Sequence, residues 1–223
     1  MPKVTVEHEQ QQREKILQAA AACFYRRGYH RATIQDVCEE AGLSKGGLYT
    51  YFQSKEDVLA AVVEHSFMEG LDEAIAAAGA GKTAMEKLDL VAATMLTRLI
   101  GSEPDPSHSP QLLLEIWAEA SKNLQVNAQC AAGYERWRAF LATLLREGIA
   151  SGQIKPEVDP ERLAAILVAM YDGLMLQEGI TKAKVDWARV MATLRHGLFE
   201  GILDSDARTG GGSRDSTKNE VQR

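Results

Sequence analysis

Cysteine is scarce in this chain of 223 residues, and Cys23, Cys38 and Cys130 are too few and too scattered for a disulfide framework or a zinc site. Cys23 and Cys38 fall at apolar positions of expected helices and read as small buried hydrophobes, with redox sensing as the alternative. Long hydrophobic runs are missing too. The longest, LAAILVAMYDGLML at 163–176, is shorter than the ~18 residues of a membrane span and is broken by Asp172. No charged-then-apolar leader opens the chain, so a cytoplasmic protein with no membrane association is expected. Positive charge is not in excess: 25 Lys and Arg stand against 31 Asp and Glu, a net charge of -6. That excludes a basic nucleic-acid coat but leaves room for a local patch. The five histidines (His8, His30, His65, His108, His196) show no metal spacing and no catalytic Cys or Ser partner. GAGKT at 79–83 ends like a phosphate-binding loop, but Ala76 stands where its first glycine belongs and a helix, not a strand, precedes it. No catalytic residue, metal or cofactor is expected.

What is present is helix. With 45% hydrophobic and 25% charged residues the composition is that of a globular protein, and β signals are sparse throughout. From Gln10 to Arg27, Ile16, Leu17, Ala20, Cys23 and Phe24 mark an amphipathic helix that Gly28 stops. Thr33 opens a second helix with Asp36 as its capping-box partner, and Gly42 ends it. Ser44 caps a third, expected to run from Lys45 to Phe52, and Ser54 with Asp57 opens a fourth reaching Ala78. Further helices are expected near 83–100, in QLLLEIWAEASK after the proline-rich loop 101–110, over 126–150, over 161–179 behind the Asp159 cap and Pro160, and over 183–203. The fold expected is all-α.

Residues 33–52 have the lengths and turn chemistry of a helix-turn-helix. In that motif the N-terminal end of the second helix meets base edges in the DNA major groove. This explains an oddity: Gly46 and Gly47 open the third helix, although glycine costs about 1 kcal/mol against alanine inside a helix. Without side chains there, backbone can approach a duplex closely, and the free N–H groups of the helix start favour phosphate. Lys45 adds a charge, and Tyr49, Thr50 and Tyr51 add hydroxyls for phosphate oxygens. Five cations (Arg26, Arg27, Arg31, Lys45, Lys55) oppose three acids (Asp36, Glu39, Glu40), a local basic excess on an acidic chain.

Residues 13–64, REKILQAAAACFYRRGYHRATIQDVCEEAGLSKGGLYTYFQSKEDVLAAVVE, resemble the DNA-binding domain of the tetracycline-repressor-like (TetR) family. The resemblance rests on Gly28 followed by an aromatic, Thr33 opening the second helix, AGLSKGGLYTYF and SKEDVL. It implies DNA contacts at Thr33, Ser44, Lys45, Gly46, Tyr49, Thr50, Tyr51 and Lys55. Gly47, where many relatives carry a larger residue, and Tyr51, often histidine, are departures that bear on base preference. The resemblance also implies an all-helical C-terminal domain that binds a small molecule and dimerises through its last two helices. The stretch from LLLEIWAEA through YERWRAFLATLLREGIASGQI to YDGLMLQ is similar to the BetI-type branch.

Independently, 163–176 is apolar nearly all round, which requires burial on two sides. With the stripe on the last helix it suits a four-helix bundle formed by two chains, the alternative being two helices interior to one chain. Leu163, Leu167, Met170, Leu174, Trp187, Met191, Leu194 and Leu198 are the expected interface. Met95, Glu115, Trp117, Trp137, Phe140 and Tyr171 are candidates for the ligand pocket, where a carboxylate beside aromatics would receive a cation. The bland alternative is two solvent-facing glutamates, Glu115 and Glu119, and ordinary core aromatics. The division expected is a loose 1–9, a DNA-binding domain 10–56, a ligand-binding and dimerisation domain 57–204, and a disordered tail 205–223. The leading functional expectation is a homodimeric repressor that leaves a palindromic operator when a small molecule binds. A DNA-binding regulator without a ligand, or an activator, is the alternative, and an all-helical enzyme a remote third.

Overall fold

The computed structural model describes residues 6–100, 106, 109–181 and 186–194, and only the backbone at Leu99, Ile100, Gly179, Trp187, Ala188 and Met191. Among the described residues the chain is all-α, with no strand: α1 (Val6–Arg27), α2 (Ile34–Ala41), α3 (Lys45–Tyr49), α4 (Lys55–Ala78), α5 (Ala84–Ile100), α6 (Pro110–Ala120), α7 (Leu124–Ala150), α8 (Pro160–Thr181) and α9 (Trp187–Leu194). No described helix is long and apolar enough to cross a membrane. The expected tail at 205–223 lies outside the described residues, as does Leu198.

The helix ends follow the capping chemistry in the sequence. Thr33 accepts the Asp36 N–H while the Asp36 carboxylate accepts the Thr33 N–H, closing the capping box of α2. Asp159 accepts the Arg162 N–H at 3.0 Å ahead of Pro160. Three bounds differ from expectation. Helix α1 starts at Val6, so 6–9 are helical, not loose. Helix α7 starts at Leu124, because Asn123 accepts the N–H groups of Gln125 and Val126 at 2.9 and 3.1 Å. Helix α3 stops at Tyr49, short of Phe52, because the Thr50 hydroxyl donates to the Gly47 carbonyl at 2.6 Å and the Thr50 N–H turns to Leu48.

Two apolar cores share one rod. The first joins α1, α2, α3 and the start of α4 (Phe24, Val37, Leu48, Val58) and takes in Leu112 and Ile116 of α6 and Val126 and Cys130 of α7. Fully buried Phe24 anchors it, and truncation to alanine is expected to cost about 3–5 kcal/mol. The second joins Ala74 and Ala78 of α4 to Leu88 and Val91 of α5, Leu141, Ala142, Leu144 and Leu145 of α7, Ile154, and Leu163 and Ala164 of α8. At 1.5 Å per residue the 24-residue α4 is ~36 Å long and reaches from one core to the other. It crosses α7 closely: a Cβ built on Gly133 would lie 2.4 Å from Cγ of Phe67.

Candidate nucleic-acid interface and ligand cavity

The α2–α3 turn is built around Gly42, whose φ of 66° lies in the left-handed region that glycine adopts without strain. Leu43 N–H then bonds Cys38 O at 2.9 Å, and Ser44 caps α3 by accepting the Gly47 N–H at 3.1 Å. Buried Leu48 pins α3 to the first core. The opposite face is open: Lys45, Gly46, Tyr49 and Thr50 are exposed, Tyr49 at 51%. Nothing crowds the two glycines from inside. A Cβ on Gly46 would meet only the Ser44 hydroxyl at 3.9 Å, and one on Gly47 the same atom at 3.5 Å. No internal contact requires them to be glycine.

The remaining expected contacts are placed differently. Lys55 is turned inward: its Nζ donates to Tyr29 O at 2.8 Å and Ala32 O at 3.0 Å and lies 4.3 Å from the centre of the Tyr29 ring. Three carbonyls of the turn 29–32 point to one spot, and a cation there satisfies them. Its charge closes the turn rather than projecting from it. Tyr51 is half-buried against the first core. The hydroxyls of Thr33, Ser44 and Thr50 all make local bonds. Asp36 is held below the ordinary carboxylate range by the Thr33 hydroxyl and amide, with help from Arg27. The local basic excess is smaller than a residue count suggests, since Arg27 pairs with Asp36 at 2.6 Å and Arg26 with Glu40.

In the C-terminal part, α4, α5, α6, α7, α8 and α9 enclose a cavity of about 250 Å³. Of the residues that the sequence offers as pocket candidates, Met95, Trp117, Trp137 and Tyr171 line it. Phe67, Tyr134 and Asp172, not anticipated, line it as well. The Trp117 indole N–H donates to the Tyr134 hydroxyl at 2.8 Å, and the Phe67 ring meets Tyr134 edge-on at 5.1 Å. Burial pushes the Asp172 carboxyl up to about 6, a shift that the hydrogen bond from Tyr134 opposes. Burial also raises Tyr134 and Tyr171, and Cys130 to about 11. All three cysteines are buried and free. With its thiol pushed up by burial, each is a poor thiolate. The lining arginine, Arg98, contacts Glu69 at 3.3 Å and Glu73 at 2.5 Å. Among the described residues no cluster of His, Cys, Asp and Glu has the geometry of a metal site.

Two expected lining residues lie elsewhere. Phe140 packs on the second core, 6.3 Å from Trp137. Glu115 faces away from the cavity, and its carboxylate accepts the Tyr29 N–H at 3.3 Å. One turn on, Glu119 lies 3.4 Å from His30 Nε2. Helix α6 thus carries Trp117 toward the cavity and two carboxylates toward the α1–α2 turn. On α8, Leu163 is buried in the second core, and Leu167, Met170 and Leu174 line the cavity with Leu194 of α9. The side chains of Trp187 and Met191 lie outside the described residues. The α8 face left open is Ile166 (50% exposed), Ala169, Gln177 and Ile180 (64% exposed), with half-buried Gly173 among them, a stripe of helical spacing.

A family model described as "Bacterial regulatory proteins, tetR family" matches residues 16–62, and one described as "BetI-type transcriptional repressor, C-terminal" matches residues 86–201. The HTH-type transcriptional regulator YfiR of Bacillus subtilis is 29% identical over 177 residues, covering 78% of this chain and 83% of its own. The fatty acid metabolism regulator protein of the same organism is 26% identical over 191 residues, covering 84% and 94%. A solved structure from Saccharomonospora viridis, described as a transcriptional regulator in complex with choline, superposes with a TM-score of 0.74 at 25% identity, covering 87% of this chain and 99% of that one.

Proposed function

The chain belongs to the tetR family of bacterial regulatory proteins, with a C-terminal region of the BetI type, and from that premise we propose that it is a homodimeric cytoplasmic repressor released from a palindromic operator by a small molecule. That it is a DNA-binding transcriptional regulator follows from the family itself. The finer reading divides the chain into a reading head at 10–56 and a body at 57–204 that holds the effector. The observation that carries it is a pair: an α3 surface open at Lys45, Gly46 and Tyr49, and an apolar cavity with aromatic lining residues joined to it through α4 and α6. The choline bound by the S. viridis neighbour supports a ligand-binding body in a fold of this kind.

Dimerisation is proposed through the open α8 stripe of Ile166, Ala169, Gly173, Gln177 and Ile180, together with α9. Gly173, where an added Cβ meets nothing within 4 Å of its own chain, allows a partner helix to come close. Two heads on a two-fold axis would present their α3 helices about 34 Å apart, one turn of duplex. Linkage then requires effector and operator to weaken each other by the same factor.

The test is a titration of genomically selected fragments with purified protein, read by anisotropy, with sedimentation on the same sample. The expected outcome is a dimer bound to a shared palindrome. Ile166→Asp is expected to yield monomers and to weaken operator binding steeply. A protein that stays monomeric, or ignores duplex DNA at low salt, refutes the reading. One that binds operator and responds to no small molecule leaves a ligand-independent regulator.

A further inference from the structure

Resting on the reading of the cavity as the effector site, we infer that its occupant is a lipophilic organic cation whose charged end seats against the Asp172 carboxylate, beside Tyr134 and its hydrogen-bonded neighbour Trp117. The cavity wall is aliphatic and aromatic over most of its extent. A carboxylate in such a place is costly unless a partner compensates its charge. Among the described residues no Lys, Arg or His forms an ion pair with Asp172, and the shift of its carboxyl has burial and the Tyr134 bond as its causes. The cation among the described lining residues, Arg98, is met by both Glu69 and Glu73. The second lining acid, Asp89, is exposed.

These charges discriminate between ligand classes. An anion entering the cavity would meet Asp172 and find the arginine already neutralised by two glutamates. A neutral molecule would leave the carboxylate uncompensated. A cation supplies the missing counter-ion, and Tyr134, Trp117 and Trp137 are lining rings able to add attraction of the cation–π kind. A cavity of about 250 Å³ leaves room for an apolar tail beyond the charged end.

The groups facing Asp172 also set the pH window. Tyr134 and Cys130 reach it from α7, and both are raised by burial, Cys130 to about 11. Tyr171 on its own helix is likewise raised, with Arg98 of α5 acting on it in the opposite sense. Tyr134, Tyr171 and Cys130 are thus moved further above the window from pH 5 to 7.5, within which Asp172, at about 6, titrates.

The experiment is calorimetric titration of the full chain, without DNA, using three probes of equal heavy-atom count: hexyltrimethylammonium, 1-nonanol and octanoate. At pH 7.5 the ammonium is expected to bind at least ~10-fold more tightly than the other two, the scale of one well-placed charge contact. Asp172→Asn is expected to weaken the ammonium by roughly 30-fold while leaving nonanol within about 3-fold. Asp172→Glu, which keeps the charge, restores part of the loss. At pH 5.0 about one-tenth of Asp172 is ionised, so wild-type affinity for the ammonium falls ~10-fold while that of Asp172→Asn does not change. Should Asp172→Asn fail to fold, the three-probe comparison and the pH series on wild type decide alone. Octanoate or nonanol binding as tightly as the ammonium overturns the cation assignment, and so does an ammonium affinity indifferent to Asp172→Asn or to pH. Binding of none of the three probes overturns it too. Release of operator by any cavity-binding molecule is read in a separate DNA titration, so a wrong ligand class is distinguishable from a wrong function.

Discussion

The sharpest claim about the head is that Gly46 and Gly47 answer a demand from outside the chain, and Gly46→Ala with Gly47→Ala tests it. In the free protein a methyl at either position has space, meeting at nearest the Ser44 hydroxyl at 3.9 and 3.5 Å, and neither residue has a positive φ. Alanine is the better helix former, by up to 1 kcal/mol in a helix interior and less in a first turn such as this one. The double variant is therefore expected to be more stable than wild type by about 0.5–1 kcal/mol. Against DNA the sign reverses. Methyls forced into a closely fitted contact cost about 1–3 kcal/mol, which is roughly 5- to 150-fold in operator affinity. Thermal melting reads the first quantity and fluorescence anisotropy on the operator fragment the second. Opposite signs in the two assays are the required result. A variant that melts higher and binds operator as tightly as wild type would refute the idea that the bare start of α3 docks on a duplex.

Lys45→Ala is expected to weaken binding to all sequences and to reduce the salt slope by about one, since exposed Lys45 is free to neutralise a phosphate. Lys55→Ala instead removes the donor that closes the 29–32 turn, and is expected to lower the melting temperature with a loss of about 2 kcal/mol and an unchanged salt slope. Gly133→Ala drives a methyl to 2.4–2.6 Å of the Phe67 ring, and chemical denaturation should show a net loss of about 1–2 kcal/mol after the helix-propensity gain is deducted. Asp172 predicts a pH signature in the denaturation free energy. Its folded value of about 6 lies above the ordinary ~3.9, so the native state holds the extra proton between the two. Wild type should therefore gain up to ~3 kcal/mol relative to Asp172→Asn as pH falls from 7 to 4. Asp36, held low by Thr33, and Asp57, held low by the Gln125 side chain and then by Ser54 and Gln53, lose their contribution as pH falls through their folded values, equally in both proteins.

The head was the more legible half because its signals are local. Thr33 with Asp36, Ser44, Gly42 and Ser54 each act within four residues, and each cap lies where the sequence predicts it. What sequence could not supply was the partner across the fold. Lys55 looks like a phosphate anchor until the carbonyls of Tyr29 and Ala32, more than twenty residues away, are seen to converge on it. Glu115 was a reasonable pocket acid, being two residues from Trp117, but two residues on a helix is a rotation of about 200° and turns it to the opposite side. A signal for Asp172, which does line the cavity, was present. Asp172 interrupts the most apolar run in the chain, and a charge in a helix buried on several sides marks a cavity or a partner. On α8, a helix apolar all round has no face that composition can single out. Packing decided that Leu163, Leu167, Met170 and Leu174 turn inward and that Ile166 and Ile180 stay open.

Magnitudes indicate how a filled cavity can be felt at the head. A hundredfold loss of operator affinity needs only about 2.7 kcal/mol of differential binding between the two conformations. The His30–Glu119 pair involves a well-exposed histidine and supplies no more than a fraction of that. The Glu115 bond to Tyr29 N–H is charge-assisted, but at 3.3 Å it is long, so about 1 kcal/mol is a fair ceiling. Breaking both polar contacts is therefore too small to release the operator alone. The apolar core that joins Leu112 and Ile116 of α6 to Phe24 and Val63 is, by contrast, too costly to open, since each buried side chain there is worth about 1.5–3 kcal/mol. Under the proposed function the head would therefore move as one rigid piece with α6 and the start of α4, to which it is packed, when a ligand presses on the lining residues Trp117 and Phe67. In the proposed dimer that displacement would act on the spacing of the two heads, where a few ångströms of misfit on a duplex outweigh any single hydrogen bond at the hinge.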